Sequence, residues 1–357
     1  MSPMLRRVLR APGRLAAALA RSFNPRVWRR RGLVAGTATA LVALVIALGA
    51  LGWWWSREPA TFDVQANAEA MAKANGEQVV TGYVTTATLI TVVDTLLHKP
   101  GGYIYNDVLP PGVLMDNMPS WEYGVVVQSR DLARSLRNDM SRSQSQSQED
   151  KDLAQAEPRL NFNANSWIFP STESEYEDAL DYLRSYRDRL ADPEQPDAQF
   201  YARADNLRAW LGIVDKRLGG IAQRLSASVG EWRTNTDLAN SPGAKQSTPT
   251  SNKVHAKTPW LQIDNEFYHA RGSCWALLEF LRAARIDFSG VLDNKNAGAS
   301  MDQVIRALQA TQRPMSSPIV LNGSGFGLFA NHSLVMASYI SRADAALIDL
   351  RNLLQQG

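Results

Sequence analysis

A chain of 357 residues exceeds the ~100–200 residues of a usual single domain and leaves ample length for a buried core. Its formal charge of +3 is unevenly placed: ten arginines and no acidic residue precede Glu58, and the remaining 28 basic residues face all 35 acidic ones, a net of −7. A net-negative body without a basic stripe argues against phosphate-backbone contacts, so no nucleic-acid partner is expected, and the single cysteine, Cys274, excludes an intramolecular disulfide.

The first segment, residues 1–31, is an arginine-rich tail. Leu5, Val8, Leu9, Leu15, Leu19 and Phe23 recur at helical spacing between its arginines, a pattern suited to an anionic leaflet, although Pro12-Gly13 interrupts it. From Gly32 to Trp55 no residue is charged, and the run is long enough to cross a ~30 Å hydrocarbon core at ~1.5 Å per residue. Arg29, Arg30 and Arg31 abut one end and Trp53, Trp54 and Trp55 the other, which places the tail in the cytoplasm and exports the chain beyond Trp55. Ala50-Leu51-Gly52 loosely resembles a signal-peptide cleavage site, but the apolar run exceeds the ~7–15 residues of a signal core. Gly32, Gly36 and Ala40 repeat every four residues and offer a close-approach face for a homodimer.

Residues 56–240 read as an exported helical bundle. Val79 to Leu97 is apolar or threonine-rich apart from Asp94; its threonines and Gly82 make it a core helix rather than a second span. The segment 142–157, RSQSQSQEDKDLAQAE, looks too polar to pack and is expected to be an exposed excursion. A helix is expected to open at Thr172, with Glu175 completing a capping box. It would then run through Tyr176, Leu180, Leu183, Tyr186 and Leu190 to stop at Asp192-Pro193. Leu207, Leu211, Val214, Leu218, Ile221, Leu225 and Val229 form a longer seam that needs a partner helix. A Pro/Ser/Thr-rich linker covers 241–258. Beyond it, 259–357 is expected to be helical and to pack back on the bundle, with helices over about 259–286 and 301–310, a glycine-rich stretch at 322–327 and a last helix from Asn331.

Four stretches carry a wider resemblance: Trp-Trp-Trp-Ser-Arg-Glu-Pro at 53–59, Lys-Pro-Gly-Gly-Tyr at 99–103, Asn-Asp-Val-Leu-Pro-Pro-Gly at 106–112, and Gln-Phe-Tyr-Ala-Arg-Ala-Asp-Asn-Leu-Arg at 199–208. With these the chain resembles an uncharacterised proteobacterial family, classified as a domain of unknown function, over essentially its whole exported part. The resemblance implies a Gram-negative inner-membrane protein and carries over no catalytic residue.

One constellation suggests chemistry. Arg271-Gly-Ser-Cys-Trp-Ala resembles the sequence around the nucleophile of papain-type peptidases, and Cys274 with His332 and Asp344 downstream can be drawn as a thiol, a base and an orienting carboxylate. The cysteine-to-histidine separation is far shorter than those enzymes use. Cys274 also shares a helical face with Leu277, Leu278 and Leu281, as a small core hydrophobe would. Glu266, His269 and Cys274 match no standard zinc spacing, His98 and His255 demand no functional role, and the 323–327 glycines lack the Lys-Ser/Thr of a phosphate loop.

The expectation is therefore an all-α protein: one N-terminal transmembrane helix plus an exported multi-helix bundle. It would act as a structural or interaction module of the cell envelope, with the lipid bilayer and envelope proteins as partners and no cofactor or metal. A cysteine-dependent hydrolase using Cys274, His332 and Asp344 is the alternative.

Overall fold

A computed structural model describes residues 25–143, 148–194, 197–234 and 253–356. The tail up to residue 24 and most of the linker lie outside the described residues. Eleven α-helices account for most of the described chain. They are α1 (Pro25–Trp55), α2 (Val64–Asn75), α3 (Tyr83–His98), α4 (Asn117–Ser135), α5 (Leu153–Leu160), α6 (Thr172–Ala191), α7 (Ala204–Ser226), α8 (Ile263–Asp287), α9 (Ser289–Asn294), α10 (Gly298–Thr311) and α11 (His332–Gln355). Two four-residue strands, β1 (Glu231–Thr234) and β2 (Lys253–Ala256), pair antiparallel with Glu231 opposite Ala256. The ribbon leaves no mark in the sequence pattern, because four residues are too few for alternation to show.

Within α1, Ala35–Trp55 is the one helix among the described residues long and apolar enough to cross a membrane, and its apolar window is 6% buried. Helical geometry breaks at Gly32, whose φ of 77° an L side chain rarely adopts. Gly32, Gly36 and Ala40 therefore do not share one unbroken helix, and the four-residue repeat expected to form a dimer face begins only at Gly36.

The run from Val79 is a core helix. α3 buries twelve residues from Tyr83 to Leu97, which explains an apolar stretch without a polar stripe. No local side chain caps its start. The Asp287 carboxylate at the end of α8 accepts from Gly82 N at 2.8 Å and Thr85 N at 2.7 Å instead.

α6 begins one residue away from the expected capping box. Ser171 is the cap, its Oγ accepting from Ser174 N, while the Thr172 hydroxyl donates to Asn163 O at 2.8 Å. The helix ends at Ala191, as Asp192-Pro193 requires. The seam from Leu207 to Leu225 is buried along α7 and finds its partner in α11, whereas Val229 lies past the helix and is exposed.

The polar segment 142–157 is only partly an excursion. Residues 144–147 lie outside the described part, but Leu153 and Ala156 are buried on α5. Just ahead of it, Asp150 and Asp152 each meet Arg189 of α6 at 2.8 Å. Paired charges pack where unpaired ones would not, a distinction composition does not carry.

One hydrophobic cluster takes residues from both sides of the 241–258 segment, from Leu89 to Leu225 and from Phe267 to Leu354. Its centre is α8 against α4, with Trp121, Trp275, Phe280 and Leu281 buried.

Candidate functional site

The residues drawn as a catalytic set occupy three environments. Cys274 is fully buried on α8, and desolvation pushes its thiol up to about 12. A thiol so placed holds its proton at neutral pH and has no path to substrate.

His332 opens α11 beside an apolar groove of about 460 Å³ lined by Phe267, Thr311, Met315, Met336 and Tyr339; Cys274 is not part of that lining. The imidazole Nδ1 accepts from Leu321 N at 3.0 Å and its ring stands 6.3 Å from that of Phe267. Desolvation lowers its pKa. Asp344 lies twelve residues further along the same helix, ~18 Å at 1.5 Å per residue. Burial, reinforced by the neighbouring Asp215, raises its carboxyl to about 6, and Arg351, which pairs with Asp215, pulls it back. The described geometry does not assemble a nucleophile, base and orienting group.

The papain-like motif has another explanation, residue by residue. Arg271 pairs with Glu58 at 2.7 Å and donates to the carbonyls of Thr311 and Arg313 at 3.1 and 2.9 Å. A Cβ at Gly272 would lie 1.9 Å from Trp121 O, so α8 and α4 touch backbone to backbone there. Ser273 Oγ donates to Gly124 O at 3.3 Å, and Trp275 Nε1 donates to Ala60 O at 3.3 Å. Gly272, Ser273 and Trp275 serve the crossing of α8 with α4, Arg271 ties α8 to Glu58 and to the end of α10, and Cys274 fills the core between them.

A second cleft, of about 450 Å³, lies between α4, α7 and the start of α8. Tyr105 and Tyr123 stack within it, centroids 5.2 Å apart and 14° between planes, and His269 sits 5.8 Å from Tyr123. Desolvation, then the Arg224 and Arg217 charges, lower His269 to about 4 and keep it neutral. Arg217 is held by Asp131 at 2.6 Å and Arg224 by Glu266 at 2.8 Å. Gln128, 2% exposed, leaves its Nε2 without a protein partner. The hydroxyl of Ser120 donates to Asp116 O at 2.7 Å, so the cleft offers aromatic faces and a donor amide but no activated nucleophile. Among the described residues no group of three or more His, Cys, Asp or Glu side chains is placed to hold a metal ion.

The junction between apolar helix and bundle is the most elaborated region. A Cβ on Gly52 would lie 3.5 Å from Pro111 Cβ, and one on Gly101 would strike the Trp55 ring at 2.7 Å. Trp55 packs partly buried against the core, and the Arg57 guanidinium lies 4.6 Å over the more exposed Trp53. Beneath it, Lys99 pairs with Glu122 at 2.5 Å, both side chains essentially unexposed. Glu122 also accepts from Ile104 N at 3.0 Å and Tyr105 N at 2.7 Å, which fixes the loop that receives Trp55. Sequence reading noticed these aromatics and Lys99-Pro-Gly-Gly-Tyr but not Glu122 or Glu58, whose partners lie 18 and 213 positions away.

The chain belongs to the family described as an uncharacterized protein conserved in bacteria (DUF2333), whose model matches residues 28–357 and so takes in the apolar helix as well as the bundle. No curated protein and no solved structure matches it.

Proposed function

We propose that this member of the family is a single-pass, membrane-anchored module that holds other envelope proteins at the periplasmic face of the inner membrane and performs no chemistry of its own. The carrying observation is the packed junction: Gly52 and Trp55 against the 99–115 loop, with Glu58 locked to Arg271 on α8. A freely tethered enzyme needs only a flexible linker after its span. A bundle seated directly on the last turn of the apolar helix holds one height and orientation, as a scaffold requires. The thiol of Cys274, fully buried and outside the lining of the groove beside His332, removes the support for a thiol hydrolase.

Orientation follows from Arg29, Arg30 and Arg31 on one flank and Trp53 to Trp55 on the other. Alkaline phosphatase fused after Gly357 is expected to be active, and a reporter that works only in the cytoplasm silent. The reverse pattern, or release of the protein from membranes by alkaline carbonate, defeats the anchor reading. Crosslinking in intact cells is expected to capture the same envelope proteins repeatedly; a product that is only self-linked leaves no scaffold.

A further inference from the structure

The contacts of the apolar helix fix which end of the bundle lies next to it. Leaving Trp55, the chain climbs along α8: Glu58 meets Arg271, Ala60 O meets Trp275, and Phe62 N donates to Glu279 at 3.4 Å. The earlier part of α8 therefore points back toward α1. Its first turn lies ~12 Å before Arg271 at 1.5 Å per residue. Loop 99–116 is at this end through Gly52 and Trp55. Connection 161–171 joins it, because Tyr103 OH donates to Ala164 O at 3.0 Å and Asn106 Nδ2 to Ser166 O at 2.7 Å. The described parts of the next connection, 227–234 and 253–262, and connection 312–331 are tied together by Asn322 Nδ2 donating to Ser228 O at 3.0 Å, and His332 stands against Phe267 in the second turn of α8.

These four connections carry nearly all the large apolar side chains the bundle exposes. Leu109 is 73% exposed and Leu114 similar; Phe169 is 98% exposed and Trp260 80%. Leu261, Phe326 and Leu328 are equally bare. Among the described residues past Trp55, only Val79, Val335 and Ile348 are comparable and lie outside the four connections. At the opposite end, connection 76–82 exposes Val79 alone, at 43%, and connections 136–152, 192–203 and 288–297 have none among their described residues. Chance exposure would scatter such residues singly over the surface.

We propose that the described residues of these four connections form a lipid-facing collar, whose leucines and aromatics enter the headgroup and upper acyl region of the leaflet at the end of the span. The inference rests on reading Ala35–Trp55 as a span. The bilayer is the occupant because the collar is continuous with that helix: Trp53 and Trp54 are exposed in its last turn, Gly52 touches Pro111, and Leu109 lies two residues before that proline. Once the span is inserted, the effective concentration of lipid at these loops is set by a contact already made, so each shallow insertion adds hold without a new association cost. The collar then fixes the tilt of the bundle as well as its height.

The test uses the full chain in vesicles of phosphatidylethanolamine and phosphatidylglycerol, with an environment-sensitive fluorophore on single introduced thiols; buried Cys274 stays unlabelled. Leu109→Cys, Phe169→Cys, Leu261→Cys and Leu328→Cys report the collar, Val79→Cys and Ser289→Cys the opposite end, and Val45→Cys the span. Collar labels are expected to emit to the blue and lose intensity to a nitroxide carried on lipid acyl chains, while Val79 and Ser289 labels respond only to aqueous iodide. Collar labels that answer to iodide alone overturn the proposal. Collar labels shielded from both quenchers overturn it too, by showing a protein surface on the loops. If the Val45 label escapes the lipid nitroxide the anchor reading fails by itself, and the collar labels still report whether the loops meet added vesicles.

Discussion

Arg271 closes on Glu58 at 2.7 Å although 213 positions separate them, so the first residues after the apolar helix are stapled to the middle of the bundle. The same guanidinium serves the carbonyls of Thr311 and Arg313. Only a planar fork of donors reaches all three, and an ammonium does not. Arg271→Met is expected to lower stability by about 2–3 kcal/mol, less than the ~3–5 kcal/mol of a fully buried pair because Glu58 keeps some contact with water. Arg271→Lys should recover less than half of that. Urea unfolding checks both, and a Met variant as stable as the parent would show that no such staple holds the bundle.

Cys274 decides between module and enzyme. With its thiol raised to about 12 by burial, alkylation of the folded protein at neutral pH is expected to be negligible and to become rapid on unfolding. Cys274→Ser should cost about 1–3 kcal/mol for a hydroxyl in an apolar site and leave cellular function intact. Rapid labelling of the folded chain that disappears in His332→Ala would restore the hydrolase.

The helices were legible where burial has a period: the α7 seam, the stop of α6 at Asp192-Pro193, and the start of α11 after Asn331 all arise from local pattern. What escaped depends on partners distant in sequence. Asp150 and Asp152 read as solvent-loving until Arg189 is beside them, and the cap of α3 sits on Asp287. Gly272 and Cys274 misled in the other direction. Five packing residues of α8 spell a peptidase-like signature, and only geometry separates the two meanings.

Lys99 and Glu122 give the junction a pH dependence. Burial raises the Glu122 carboxyl to about 7, with Lys99 and the backbone donors of Ile104 and Tyr105 pulling it down. Because that value lies above the ordinary 4.5, the folded state holds this proton longer than the unfolded state. The group's contribution is greatest below pH 4.5 and is lost as pH rises through 7. Lys99→Met removes the largest opposing charge, so the carboxyl should rise further. The variant is expected to lose about 3–5 kcal/mol at pH 8, where a lone carboxylate must stay buried, and clearly less at pH 5, where it is neutral. Equal losses in urea melts at the two pH values would refute this.

A dimer face of small residues on the apolar helix would begin at Gly36. The α7 seam is already covered by α11, and Gly32 stands outside helical geometry. Gly36→Ile is expected to reduce crosslinked dimer in membranes while Gly32→Ala leaves it unchanged, because close helix approach needs small residues only along the continuous helix. An unaltered dimer yield in Gly36→Ile rules out this face.

The crossing of α4 and α8 brings backbone against backbone, and it depends on two glycines. A Cβ at Gly272 would fall 1.9 Å from Trp121 O, and one at Gly124 would fall 2.3 Å from His269 O and 2.7 Å from Ser273 N. Each obstacle is backbone, so no rotamer change relieves the clash and the helices must separate. Separation would loosen Trp121 against Trp275, now 5.2 Å between centroids, and the hydrogen bond from Ser273 to Gly124 O. Although alanine favours a helix over glycine by about 1 kcal/mol, the overpacking term runs to about 1–3 kcal/mol or more and acts on the largest buried side chains in the core. Gly272→Ala and Gly124→Ala are each expected to be net destabilising, and the double variant less than additive, since one displacement of the helices relieves both clashes. Gly290, around whose Cβ nothing lies within 4 Å, provides the control: Gly290→Ala should be neutral or stabilising. Melting temperatures of the three single variants and the double decide it, and a Gly272→Ala protein that melts with or above the parent would show that the helices do not meet as described.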